Sequence, residues 1–438
     1  MSKLQELDAK YVANTYARFP VEIVSGKGSI AKDVNGKEYI DMGSGIGVTS
    51  FGIADEKWKQ AVIDQLGKVQ HMSNLYYTEP CVKLAEMLCE KTGMKKVFFG
   101  NSGGEANECA IKVARKYAAE KKGPDYYTII TLWNSFHGRT LTTLAATGQE
   151  HYHELFQPLT PGFVHAHVDD LDEVKKLVAE NKVAGILIEC IQGEGGVNPL
   201  SAEFIKGVEE ICHQEDIVFM VDEVQTGNGR TGKLYAYMNF GVQPDVVSTA
   251  KGIGGGLPLG ACLLGEKAEH VLGHGDHGST FGGNPVACAG AVSILDRLDD
   301  AFLAEVQRKG KILFDALEDR VVLTCTNGSL SIETTLTAEV EERGRLVLPG
   351  RIVLEIIRKI SNPNLTITEQ TNSVLIRSGS FRASLTAMDA DEFPETPRMT
   401  PLTTLEIPQV QLKKMINGVV FSIAVEDSKP LLTGCLLE

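Results

Sequence analysis

No run in the 438 residues approaches the roughly 18 consecutive apolar positions of a membrane-spanning helix, and the opening MSKLQELDAK has no apolar stretch like that of a secretory signal. A cytosolic protein is expected. Basic residues are in short supply: 43 Lys and Arg stand against 57 Asp and Glu, and the net charge of -14 argues against non-specific nucleic-acid binding by the molecule as a whole. The nine cysteines are odd in number and contain no CxxC pair, which fits reduced thiols packed as small apolar residues better than disulfides or zinc. No structural metal is expected. The stretch after Arg320 has no His, Trp or Tyr, although the chain holds ten, two and eleven of these, all at or before His277. That shift places a boundary near residue 320.

What is present is an ordinary globular composition, 43% hydrophobic and 23% charged, over a length sufficient for about three units of roughly 150 residues. Residues 1–50 carry turn-rich pieces (SGKGS, VNGKE, DMGSGIG) that predict a small antiparallel segment. From about 95 to 264 the runs KKVFFG, YYTIITLW, AGILIEC, DIVFMVDE, DVVSTAK and GACLLG read as buried strands, separated by segments at helical period such as EANECAIKVARKYAAEKK. The alternation predicts an α/β unit over residues 51–320, a mainly parallel sheet with helices on both faces. Over residues 321–438 the pattern changes: LTITEQTNSVLIRSGSFRASL alternates apolar and polar residues as half-buried antiparallel strands do. RLVLPGRIVLEIIRKI and TTLEIPQVQLKKMINGVV, about sixty residues apart, repeat one order of strand, proline and amphipathic helix. An α+β segment with an internal repeat is expected there.

Three pieces of the α/β unit fall at strand ends: Asp222 closing FMVDEVQTG, Lys251 closing DVVSTAKGIGGG, and the turn GNSGGEAN after VFFG. Ligands of open α/β sheets sit beyond the carboxyl ends of the strands, so all three can face one crevice. Ser102, Gly103 and Gly104 would present backbone N–H groups and a hydroxyl at a helix N-terminus, where the dipole favours a phosphate. A carboxylate and a lysine beside that turn point to pyridoxal phosphate, with Lys251 forming the Schiff base and Asp222 holding the ring nitrogen protonated. Each piece alone has a plain reading, a helix cap, a turn or a solvated lysine; their joint order carries the inference. GIGGG and GSGIG miss the GxGxxG spacing of a dinucleotide site. His165 and His167 share a strand face in FVHAHVD, and His151 and His153 are spaced alike, but no third ligand accompanies either pair.

In order along the chain, SNLYYTEP, GNSGGEANECAIKVARKY, NSFHGRTLTTLAATGQ, IQGEGGVNP, VDEVQTGNGRTGKL, AKGIGGGLPLGA and HGSTFGGNPVACA resemble the class III, fold type I aminotransferases, most closely the acetylornithine aminotransferase branch, over about residues 11–318. The resemblance implies a pyridoxal-phosphate enzyme moving nitrogen from an ω-amino donor to 2-oxoglutarate, with ornithine or 4-aminobutyrate aminotransferases as close alternatives. It implies Lys251 as proton shuttle, Asp222 as ring-nitrogen partner and Gln225 beside the ring hydroxyl. Ser102, Gly103 and Gly104 would bind the phosphate, with Thr280 completing that site from the second subunit of a homodimer. Phe136 would stack on the ring, Arg139 would take a substrate carboxylate, and Glu194 would mask a second arginine. Without the resemblance, Phe136 reads as core, Arg139 as a surface ion pair and Glu194 as a turn carboxylate.

The segment 321–438 resembles instead part of the bacterial DNA polymerase III beta sliding clamp, through LSIETTLTAEVEERGRLVLPGRIVLEIIRKI, SVLIRSGSFRASLTAMDADEFPE and LEIPQVQLKKMINGVVFSIAVEDSKPLLTGCLLE. In a clamp Arg351, Arg358, Lys359, Lys413 and Lys414 would face DNA phosphates, although about a third of a clamp cannot close a ring, and solvated helix faces are the plainer reading. A DNA-binding module carrying an inert enzyme fragment is thus the alternative of a different class. The two resemblances describe a fusion in which the arginine partner of Glu194 has no counterpart; Arg377 and Arg382 are the strand arginines that could stand in.

Overall fold

The computed structural model of the protein describes residues 2–317, 320–326, 331–338, 346–360, 364–370, 373–379 and 381–386. The chain divides into two compact units near residue 316, and each is treated by itself.

The first unit opens on a helix, Lys3–Tyr11, capped by Ser2 with Gln5 in a reciprocal capping box. A three-stranded antiparallel sheet follows, β1 (Ile23–Lys27), β2 (Ile30–Asp33) and β3 (Glu38–Ile40), as the turn-rich composition predicts. The main sheet holds seven strands: β4 (Lys96–Gly100), β5 (Thr128–Leu132), β6 (Phe163–Ala166), β7 (Val183–Ile188), β10 (Val218–Asp222), β11 (Val246–Thr249) and β12 (Gly260–Leu264). Between β7 and β10 lies the short antiparallel pair β8 (Ile191–Gln192) and β9 (Asn198–Pro199). The spatial order is β4-β12-β11-β10-β7-β5-β6, parallel except that β12 runs against both its neighbours. The reversal of β12 leaves β4 pointing the same way as β10 and β11, so their carboxyl ends share one edge.

Successive residues of a strand point to opposite faces, and β10 shows the consequence. Phe219 and Val221 join one core cluster with the helices Glu79–Thr92, Ala202–Gln214 and Pro285–Leu295, whereas Val218 and Met220 join another under the helix Gly103–Lys122. Both faces are covered, which is why these strands read as continuous apolar runs rather than alternating ones.

The second unit contains the antiparallel pair β13 (Arg320–Thr326) and β14 (Ser331–Thr337), the helix Gly350–Lys359, and the antiparallel sheet β15 (Thr366–Gln370), β16 (Ser373–Ser378) and β17 (Phe381–Thr386). The alternating pattern is realised in β16, where Val374, Ile376 and Ser378 are buried and Arg377 is exposed. Arg377 stands opposite Arg382 across the β16–β17 ladder, and both are exposed. The second copy of the internal repeat, with Lys413 and Lys414, lies outside the described residues.

Candidate active site

Ser102 is the N-cap of the helix Gly103–Lys122, its Oγ accepting from the Glu105 N–H at 3.2 Å. Gly103 and Gly104 lie in the first turn, where helix N–H groups have no intrahelical acceptor. A side chain at Gly103 is excluded, because a Cβ there would lie 2.7 Å from Cγ1 of Val224. Gly260, at the start of β12, is just as tightly placed: a Cβ would collide with the Ser102 backbone, so a glycine lets the turn fold over the strand end.

Two strands from β12, Asp222 closes β10 and is 4% exposed. Its Oδ2 accepts from Asn107 Nδ2 at 2.7 Å and His137 Nδ1 at 2.8 Å, and its Oδ1 accepts from the Val224 N–H at 2.9 Å. Burial pushes the His137 imidazole down, but the Asp222 carboxylate outweighs it and raises it; Nε2 of the ring is buried without a partner.

Lys251 follows β11 at φ +49°, a left-handed backbone that costs a non-glycine residue roughly 1 kcal/mol and is held only by its surroundings. Those surroundings are specific: Asn228 Nδ2 donates to Thr249 Oγ1 and to the Ala250 carbonyl, both at 3.1 Å, Ser50 Oγ donates to the Gly252 carbonyl at 3.3 Å, and Trp58 Nε1 to that of Gly254 at 3.2 Å. Desolvation holds the Lys251 amine below its ordinary range, opposed by the negative charges of Asp222, Glu194 and Glu189 and reinforced by Arg230.

These pieces enclose a cavity of about 390 Å³ whose lining includes Ser102, Gly103, Gly104, Phe136, Glu194, Asp222, Gln225 and Lys251. Two of the sequence-predicted residues are not in that lining. Arg139 is exposed beside it, its guanidinium 4.0 Å above the Tyr152 ring and 5.4 Å from that of Phe136. Thr280 is exposed on a loop that Asn74 ties down by donating to the carbonyls of Ser279 at 3.0 Å and Gly282 at 2.9 Å. The histidine pairs go their separate ways. His165 is pushed down to about 4 by burial and shares a hydrogen bond with Thr131 Oγ1 at 2.7 Å, His167 bonds Glu173, and His153 Nε2 meets the carbonyls of Leu144 and Thr147.

Sequence reasoning missed Asn107, His137 and Glu189, all lining the cavity. All three lay inside quoted stretches, His137 in NSFHGRTLTTLAATGQ, Asn107 in GNSGGEAN and Glu189 in AGILIEC, but nothing local singled out Asn107 or Glu189, since their importance is their burial, at 1% and 5% exposed. Glu189 is pushed up to about 7 by burial and the Asp222 charge, against the pull of His137 and of the Phe136 N–H that its Oε2 accepts at 3.0 Å. Glu223 is fully buried and likewise pushed up to about 7, while Thr226 Oγ1 donates to Oε2 at 2.7 Å and the Tyr237 N–H to Oε1 at 2.8 Å.

A raised folded-state value means the stabilising form is the protonated one: its contribution is complete below the ordinary 4.5 and is lost as pH climbs through about 7. Glu223→Gln should therefore match the wild type near pH 5 and exceed it by roughly 2 kcal/mol near pH 8. Urea unfolding at both pH values checks this, and an equal difference at both would contradict it.

A family model for aminotransferase class-III matches residues 11–323. The chain belongs to the class-III aminotransferases. Acetylornithine aminotransferase of Haemophilus ducreyi is 51% identical over 316 residues, 72% of this chain and 80% of its own. That of Caldanaerobacter subterraneus is 41% identical over 372 residues, 84% of this chain and 92% of its own. Among solved structures, ornithine aminotransferase from Toxoplasma gondii, described with partial occupancy of pyridoxal phosphate, matches with a TM-score of 0.69 at 30% identity, covering 86% of this chain and 81% of that one. N-acetylornithine aminotransferase from Stenotrophomonas maltophilia matches at 0.61 and 31%, covering 86% and 83%. A second model, DNA polymerase III beta subunit, N-terminal domain, matches residues 309–397.

Class-III aminotransferases use pyridoxal phosphate, and the residues present fit it. The turn at Ser102–Gly104 is a helix N-terminus whose glycine leaves room only for backbone against Val224, and an amine and a carboxylate line the same cavity. The family therefore accounts for the α/β fold with its mixed, mostly parallel sheet.

Proposed function

We propose that the chain transfers the amino group of acetylornithine, or a close ω-amino acid, to 2-oxoglutarate. The observation that carries this reading is the convergence of Lys251, Asp222 and the Ser102–Gly104 turn on one cavity, in a chain whose relatives are acetylornithine aminotransferases. Pyridoxal phosphate, when bound, supplies a ring that draws off the electron pair left on carbon as its proton departs. The Gly103 and Gly104 amides and the Ser102 hydroxyl hold its phosphate. Phe136 forms a flat wall of the cavity, and Gln225 offers an amide to the ring hydroxyl. Lys251, its amine held below the ordinary lysine range by desolvation, takes a proton at Nζ and returns it. Arg139, its fork steadied on the Tyr152 ring, suits a substrate carboxylate. Ornithine and 4-aminobutyrate are the close alternative donors. The relatives' coverage supports transamination over DNA binding by the clamp-like residues.

Absorbance spectra of the protein loaded with pyridoxal phosphate test the reading: acetylornithine should abolish the visible band, and 2-oxoglutarate should restore it. No change with any ω-amino acid would sink it. The class-III match ends at residue 323, and the tail supplies no assigned arginine partner for Glu194, so the second half-reaction should be the slower one; rapid steady-state turnover would contradict this.

A homodimer follows from the role given to Thr280, whose loop also exposes Phe281, 59% accessible. Thr280→Ala should weaken cofactor binding about 10-fold, the loss of a hydrogen bond to a charged group. A monomer by light scattering that retains full affinity would refute the shared site.

A further inference from the structure

Asn107 sits in the second turn of the helix Gly103–Lys122, 1% exposed, with both hydrogens and the oxygen of its amide engaged. Nδ2 donates one hydrogen to Asp222 Oδ2 at 2.7 Å and the other to the His137 carbonyl at 2.8 Å. Oδ1 accepts from Ser248 Oγ at 2.5 Å. The orientation is fixed by its neighbours: turned over, the amide would set its oxygen against a carboxylate and a carbonyl. Ser248 is also the residue paired with Asp222 in the β10–β11 register, and its carbonyl accepts from the Glu223 N–H at 2.8 Å.

With His137 as the second donor to Oδ2, that lobe of the carboxylate is filled, and the rotation of the Asp222 side chain is set from two separate segments of chain. Among the described residues Oδ1 has only the Val224 N–H, so one lone-pair direction remains for a ligand in the cavity.

We propose that Asn107, held by Ser248, is a positioning residue: it fixes the plane of the Asp222 carboxylate so that Oδ1 alone meets the ring nitrogen of the cofactor. The proposal rests on the reading of Asp222 as the ring-nitrogen partner. A role in core packing alone would support the cavity as a whole; a positioning role acts only through the ring nitrogen. The two separate when binding is measured with two ligands, pyridoxal phosphate and the analogue with carbon in place of the ring nitrogen.

Fluorescence titration of the cofactor-free protein supplies the dissociation constants. Asn107→Leu, similar in size but without donors or an acceptor, should weaken pyridoxal phosphate about 10-fold or more and leave the carbon analogue within about twofold, as expected when a hydrogen bond to a charged group is lost. Ser248→Ala, which frees only Asn107 Oδ1, should show the same selectivity at about threefold, and it decides the matter if Asn107→Leu does not fold. Equal weakening of both ligands, or of neither, by the Asn107 and Ser248 variants overturns the proposal. Asp222→Ala separates the two failures: if it too treats both ligands alike, the reading of Asp222 is at fault, and if it discriminates while Asn107→Leu does not, the fault lies with Asn107.

Discussion

Lys251→Ala is expected to lower transamination by about 10⁴-fold, the upper range for removing one group that serves as both nucleophile and proton carrier. The side chain is half-buried in the cavity, and no other lysine lines it among the described residues. The fold should survive. The turn is held by Asn228, Ser50 and Trp58 through backbone carbonyls and Thr249, none of which needs the Lys251 side chain. Alanine keeps the strain of φ +49°, so the variant should gain no stability from backbone relief, whereas glycine would. Steady-state rates with acetylornithine and 2-oxoglutarate give the first comparison. Borohydride reduction followed by peptide mapping gives the second: the wild type should carry the adduct on Lys251 and the variant none. An adduct at another lysine, or activity within tenfold of the wild type, would remove Lys251 from its role.

Asp222→Asn should cost at least 100-fold in kcat, although it changes one atom. An amide nitrogen in place of Oδ2 would face the N–H groups of Asn107 and His137, and a flipped amide would face the Val224 N–H instead. Either way a donor meets a donor in a site 4% exposed, a loss of roughly 1–3 kcal/mol, and the ring nitrogen loses its carboxylate. Cofactor affinity should drop with kcat, which distinguishes this variant from a simple loss of substrate binding. A kcat within threefold of the wild type would show that the ring nitrogen finds its partner elsewhere.

Much of this site is legible in the sequence alone. The N-cap serine, the glycines after it and the strand ahead of them form a continuous stretch, and so do the apolar run ending at Asp222 and the one ending before Lys251. Each is a local pattern of burial and turn chemistry, and local patterns are what a sequence displays. The half-buried alternation of β16 was readable for the same reason. Arg139 and Thr280 are different: their expected partners lie in substrate or in a second subunit, and within one chain they stand outside the cavity lining.

The sequence by itself determined the elements, their apolar faces, the Ser102 cap and, through seven ordered motifs, the family. Tertiary structure decided which buried polar groups meet. Asn107 lies 30 positions from His137 and 141 from Ser248, and the three meet near Asp222 because the helix Gly103–Lys122 packs on the sheet and β11 lies beside β10. It decided too that Glu189 and Glu223 are pushed up to about 7 while Lys251 is held down. The physical reason is common to both: a charge or hydrogen bond is settled by how much water and which partners packing leaves around a group, and those neighbours come from strands distant in sequence.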